Sequence, residues 1–237
     1  MDKPTCSCQS CTHKLCARKV PIFSSLDAEE LNQVVSLIIR RKYLRGELLV
    51  LEDAKMDGLV ILNSGKVKAF RVTSEGKEQI LYIFSQGDFF GEKNLMTNQK
   101  APYHVEALEE TNICMIKKED FQNLLRSYPN IGFKIMEELS NRLERLENAI
   151  ETMGVKNVET RINKVLLEFA ERYGEKHPKG ILVELPLSRE GIANYVGLTR
   201  ETVSRKLSHL QDEGILEMEG NKKIIILDAQ ALKDAIE

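Results

Sequence analysis

The chain has 237 residues, of which 42% are hydrophobic and 30% charged, with a net charge of −2. That length can bury two modest cores, and no apolar run approaches the roughly 18 residues of a membrane span. The first twenty residues lack the apolar core of a signal peptide, and the near-neutral charge excludes a polybasic nucleic-acid binder while leaving room for a local basic face, so a cytoplasmic protein with no membrane partner is expected.

In chain order, the first feature is a crowd of cysteines. Cys6, Cys8, Cys11 and Cys16 fall within the first sixteen residues, and Cys114 stands alone much later. In a reducing cytosol such clustering points to metal binding or redox chemistry rather than structural disulfides, and an odd number leaves one thiol over in any all-disulfide scheme. Cys8-Gln9-Ser10-Cys11 is formally a Cys-x-x-Cys motif. A thiol oxidoreductase would need that pair at a helix N-terminus after a strand, where the dipole lowers the thiol pKa. Here it precedes every recognisable element. With no phosphate-cradling glycine loop, metalloprotease histidine pair or nucleophile triad in the rest of the chain, an enzyme is not expected.

Ser25-Leu26-Asp27-Ala28-Glu29-Glu30-Leu31 reads as a helix start, its carboxylates complementing the macrodipole. Short apolar runs follow: residues 46–50, 59–62, 65–70, 80–84 and 112–116. Strands this short, with glycine-bearing turns at Asn63-Ser64-Gly65 and Ser74-Glu75-Gly76, predict a small β-roll over residues 21–128, after a cysteine-rich segment over 1–20.

A long helix is predicted from Pro129, within a dimerisation segment of 129–157. Leu139, Leu143, Leu146, Ile150 and Met153 recur at alternating spacings of four and three, the heptad seam along which a second helix packs. Glu137, Glu138, Arg142, Glu144, Arg145 and Glu147 are expected to stay in water or pair across the edge of that seam. A homodimer follows, with Gly154 ending or kinking the helix.

Residues 188–210, SREGIANYVGLTRETVSRKLSHL, carry the spacing of a helix-turn-helix within a domain of 158–237. Ser188 and Thr199 suit the two N-caps, Ala193 is small where the helices approach, and Gly197 suits the turn. Ile192, Val196, Leu198, Val203 and Leu207 form the shared apolar face. This leaves Arg200, Glu201, Thr202, Ser204, Arg205 and Lys206 on the part of the second helix that reaches base edges in the major groove. Downstream, residues 214–226 predict a two-stranded wing whose Lys222 contacts phosphate.

In this order the Gly87-Asp88-Phe89-Phe90-Gly91-Glu92 turn, the long helix and the winged helix resemble the Crp/Fnr superfamily of bacterial transcription regulators over essentially the whole chain. Glu201, Ser204 and Arg205 fit the Glu-x-x-Ser-Arg pattern of its Fnr branch. The resemblance implies an α+β protein: a cyclic-nucleotide-binding-like β-roll, a long dimerisation helix and a C-terminal winged helix-turn-helix. It also implies double-stranded DNA with an inverted-repeat, Fnr-box-like site, and RNA polymerase, as partners. Cyclic AMP is not expected, because Tyr103 and His104 stand about where the arginine and small hydroxyl residue of the phosphate clamp belong, which leaves Glu92 a structural role. In Fnr-type sensors three N-terminal cysteines and a distant fourth hold a 4Fe-4S cluster, which here implies Cys8, Cys11, Cys16 and Cys114. The last N-terminal gap is one residue shorter than in that pattern, and Cys6 and His13 are extra candidates. The same thiols also suit a disulfide switch without a cofactor, or four-sulfur zinc.

Overall fold

The computed structural model describes residues 20–97, 99–154 and 157–236. The N-terminal cysteines Cys6, Cys8, Cys11 and Cys16, with His13, lie outside the described residues, as does the side chain of Met153. The chain divides into two compact units: residues through Arg71 together with Tyr82–Arg142, and Val72–Leu81 together with Leu143 onward. The division falls inside the long helix, one residue before Leu143.

The first unit opens with a 3-10 turn, Pro21–Phe23, and helix α1, Ala28–Ser36. Asp27 caps α1 by accepting from the backbone N–H groups of Glu29 and Glu30, while Glu30 accepts from that of Asp27, a reciprocal capping box. The strands that follow are β1 (Ile39–Tyr43), β2 (Leu48–Val50), β3 (Gly58–Ser64), β4 (Val67–Val72), β5 (Glu78–Phe84) and β6 (Phe89–Phe90). Then come α2 (Glu92–Met96), β7 (His104–Ala107), β8 (Thr111–Lys117) and α3 (Lys118–Ser127). They form two four-stranded sheets, in the orders β1-β8-β3-β6 and β2-β7-β4-β5.

The first sheet has two faces because side chains alternate along a strand. Leu59, Ile61, Cys114 and Ile116 share one core with Val20, Ile22 and Phe23, with Leu31 and Val34 of α1 and with Phe121 and Leu124 of α3. Ile131 and Ile135 of α4, the long helix Pro129–Gly154, complete that core.

The second unit is built on α5 (Val158–Tyr173), followed by β9 (Gly174–His177), β10 (Gly180–Glu184), α6 (Arg189–Val196), α7 (Arg200–Asp212), β11 (Leu216–Glu219), β12 (Lys223–Ile226) and α8 (Ala229–Asp234). Its core is Ile162, Val165, Leu166 and Phe169 of α5, Ile192, Ala193 and Val196 of α6, Val203, Leu207 and Leu210 of α7, and Ile224, Ile225 and Ile226 of β12. The wing is larger than the two strands expected from sequence. β11 and β12 join β10 and β9 in one antiparallel sheet, order β11-β12-β10-β9. The Gly-Glu-Lys-His sequence of β9 has no apolar alternation; backbone pairing of Gly174–His177 with β10 makes it a strand.

Candidate nucleic-acid interface and sensor core

Both helices of the helix-turn-helix are capped at their starts. Ser188 accepts from the Gly191 N–H at 3.1 Å, and Thr199 accepts from the Thr202 N–H at 3.3 Å, each filling one of the donors a helix start leaves open. Between them Gly197 takes φ +70°, the left-handed conformation in which a Cβ is strained, and its N–H closes back on the Ala193 carbonyl.

Along α7, Val203, Leu207 and Leu210 face the core, so the opposite face is left to Arg200, Glu201 and Arg205, all exposed, with Ser204 half-buried. Thr202 is also half-buried and its hydroxyl is 2.9 Å from that of Thr199, so its first role is in the cap. Lys206 departs from the sequence expectation. It is buried, and its Nζ lies 3.3 Å from Oε2 of Glu159 on α5, which ties the middle of α7 to α5 and removes this lysine from the base-reading set. Ser208 and His209 are exposed one turn beyond Ser204 and Arg205. His209 pairs with Glu213, Nδ1 to Oε2 3.0 Å. Lys222 and Lys223 are exposed at the wing turn.

Behind this surface Tyr195 of α6 donates its hydroxyl to Glu168 of α5, 3.1 Å to Oε1, and Arg172 Nη1 lies 3.7 Å from the same oxygen. Burial raises the Glu168 carboxyl above its usual range, opposed by the Tyr195 hydrogen bond and the Arg172 charge. Burial likewise raises the Tyr195 phenol, and the Glu168 charge adds to it.

On α4, Leu143 and Ile150, which the sequence places in a dimer seam, are 57% and 70% exposed. Leu146 is half-buried, and Leu139 packs partly on the core of the first unit. Phe133 and Met136 are exposed as well, which extends the apolar stripe toward the start of α4. Arg142 does not stay in water as the sequence pattern suggests. Its guanidinium is buried in the first unit, with Nη1 3.2 Å from Oε1 of Glu92 and Nη2 donating to the Phe89 carbonyl at 2.8 Å.

Gly91, at φ +93°, positions Glu92: a Cβ there would come within 2.6 Å of the Gly58 carbonyl oxygen. Beside it, burial raises the phenols of Tyr82 and Tyr103; Arg142 opposes the shift and the Glu92 charge adds to it. His104 stacks on Phe70, with centroids 5.2 Å apart, and its Nδ1 accepts from the Glu52 N–H at 3.2 Å. Neither residue offers the guanidinium of a phosphate clamp.

Cys114 lies mid-strand in β8, opposite Arg40 of β1 and Ile61 of β3, and is buried in the core that also contains Val20. Among the described residues, no three histidine, cysteine or acidic side chains come together in a metal-holding group. No described helix is long and apolar enough to cross a membrane.

Comparison with known proteins agrees with both units. Residues 40–128 match the cyclic nucleotide-binding domain family and residues 160–235 the Crp-like helix-turn-helix domain family. A probable transcriptional regulator flp of Lacticaseibacillus casei is 30% identical over 219 residues, covering 92% of this chain and 97% of that protein. The fumarate and nitrate reduction regulatory protein of Yersinia pestis is 30% identical over 227 residues, covering 95% and 88%. Among solved structures, FixK2 from Bradyrhizobium japonicum superposes with a TM-score of 0.74 at 27% identity, covering 83% of this chain and 96% of that one. A CooA mutant from Carboxydothermus hydrogenoformans reaches 0.78 at 26% identity, covering 96% and 97%. With its two units, its capped helix-turn-helix and relatives matched nearly end to end, the chain belongs to the Crp/Fnr family of DNA-binding transcription regulators.

Proposed function

We propose that this regulator responds to oxygen or redox state through Cys8, Cys11, Cys16 and Cys114, which together hold a 4Fe-4S cluster. The observation that carries the reading is the position of Cys114. It is buried in the same core as Val20, the first described residue, and Cys16 precedes Val20 by only four positions. Four residues of extended chain span about 14 Å at most, so Cys16 is tethered by a short stretch to the core that holds this thiol, which supports the reading. An all-thiolate donor set fits the group, because iron–sulfur clusters are held by cysteine thiolates. When bound, the cluster supplies an oxygen-labile link between the N-terminal segment and β8. The residues of the chain do the rest: β8 packs on α1, α3 and the first turns of α4, so a change at Cys114 bears on the helix that carries the dimer seam.

The seam of Leu139, Leu143, Leu146, Ile150 and Met153 joins two copies, which present two α7 helices to an inverted-repeat site. Arg200, Glu201, Ser204 and Arg205 read base edges there, Thr202 closes the helix start, and Lys222 contacts phosphate. Such a dimer regulates transcription through RNA polymerase. Footprinting on an inverted-repeat Fnr-box-like site tests the reading. Anaerobically purified protein is expected to protect both half-sites, and air-exposed protein to lose that protection; identical footprints before and after air would overturn it.

A further inference from the structure

The inner face of helix α5, where Ile162, Val165, Leu166 and Phe169 are buried, also carries a polar side chain that the core does not satisfy. Asn163 is 0% exposed, and neither its Oδ1 nor its Nδ2 has a hydrogen-bond partner among the described residues. A carboxamide brings two donors and an oxygen with two acceptor sites, and leaving all of them unmet inside a core costs the full desolvation of the group. Buried polar groups in folded proteins are met by protein or by ordered water, and a small neutral amide calls for water.

Helix geometry indicates where such a water would find its second contact. Residues four apart stand one above the other on a helix, so Asn163 follows Glu159 on the same face of α5. Glu159 meets the Lys206 ammonium of α7 at 3.3 Å. That ammonium is under-supplied as well: it carries three donors, its side chain is only 9% exposed, and Glu159 is its one ion-pair partner among the described residues. Two polar groups with unmet capacity therefore serve the same boundary between α5 and α7, one helical turn apart along α5.

We propose that Asn163 holds a buried water between α5 and the recognition helix, the water donating to Asn163 Oδ1 and accepting from Lys206 Nζ. Together with the Glu159–Lys206 pair it forms a polar tie that seats α7 on α5. The tie lies wholly within the second unit and is independent of what the cysteines bind. It acts on the strength of DNA binding and leaves base preference alone, because Asn163 and Lys206 are buried away from the exposed face of α7.

A crystal structure of the full-length protein is expected to show one water within hydrogen-bond distance of both the Asn163 amide and Lys206 Nζ. An amide bonded directly to protein groups, or a site without that water, would overturn the proposal. Asn163→Leu, of similar size, tests the same tie in solution. An amide with nothing to bond is better replaced by leucine, so a thermal midpoint above that of wild type would also overturn the proposal. The tie predicts instead a lower midpoint and severalfold weaker binding to the inverted-repeat site, with base preference unchanged. Asn163→Ser keeps a hydroxyl for the water and is expected to lie nearer wild type; it takes the place of Asn163→Leu if that variant fails to fold. Combined with Lys206→Met, the Asn163 substitution is expected to cost less than the sum of the two separate effects, because each breaks the same tie. Additive costs would reduce Asn163 to a packing residue and overturn the shared water.

Discussion

Lys206, halfway along the recognition helix, directs its ammonium to Glu159 at the start of α5, 3.3 Å away, with only 9% of the lysine side chain exposed. A basic residue in a recognition helix reads from sequence as a DNA contact, and here the fold uses it internally. Lys206→Met should keep the preferred DNA sequence while lowering the thermal midpoint. Because Glu159 is more than half exposed, the pair is worth no more than about 1 kcal/mol, or roughly 2–4 °C in a chain of this size. A footprint with altered base preference would return Lys206 to the groove.

For the exposed face of α7, Arg205→Ala and Glu201→Ala should each cost roughly 1–3 kcal/mol and relax discrimination at one base pair. Lys222→Ala should weaken binding evenly across sequences and reduce the salt dependence by about one phosphate contact. Competition binding on a panel of single-base variants separates the two behaviours. Unchanged site preference after both α7 substitutions would reject this docking.

How much of this was legible in the sequence depends on which force shaped each element. The helix-turn-helix was readable because Ser188, Thr199 and Gly197 act locally, through caps and a left-handed turn. The long helix was readable because its apolar residues recur at helical spacing. Strand β1 was not, since Ile-Arg-Arg-Lys-Tyr exposes three consecutive charged residues and is a strand only because β8 pairs with it. Arg142 was placed with the solvated residues because nothing in α4 distinguishes it from Arg145. Its partner, Glu92, lies fifty residues away, and only the tertiary fold brings the two together. Cys114 could be singled out only through the family resemblance; its burial in the core that also contains Val20 is a property of the packed fold.

Burial of the Glu168 carboxyl gives the second unit a specific pH dependence. Burial raises the Glu168 carboxyl, so the folded state keeps its proton to higher pH than the unfolded chain does. The sign follows from linkage: the contribution to stability is full below the ordinary glutamate value, about 4.3, and is lost as pH rises from there through the raised folded value. Glu168→Gln has no proton to lose and retains a hydrogen-bond acceptor for Tyr195. Thermal midpoints measured from acid to neutral pH should therefore shift in favour of Glu168→Gln as pH rises. A difference between the two proteins that stays constant with pH would contradict this.

Leu143 and Ile150 are large, apolar and mostly exposed within one chain. Leu143→Glu or Ile150→Glu should convert the dimer to a monomer at micromolar concentration, because two carboxylates would face each other across the seam. Unfolding of the single chain should change little, since neither side chain belongs to a core. Leu139→Glu should also destabilise the first unit, against which Leu139 packs. Sedimentation with parallel thermal melts distinguishes these outcomes. A Leu143→Glu protein that remains dimeric would exclude this seam as the interface.

The most direct test of the cluster reading is iron and acid-labile sulfide analysis, with a visible spectrum, of protein purified and reconstituted without oxygen. The cluster reading predicts near-stoichiometric iron and sulfide, an absorbance that air bleaches, and a Cys114→Ala variant that lacks this absorbance while its β-roll remains folded. Protein holding neither iron nor sulfide after reconstitution would contradict the reading. In that case, loss of two hydrogens on oxidation with Cys114 joined to an N-terminal cysteine would identify a disulfide switch, and bound zinc a structural site.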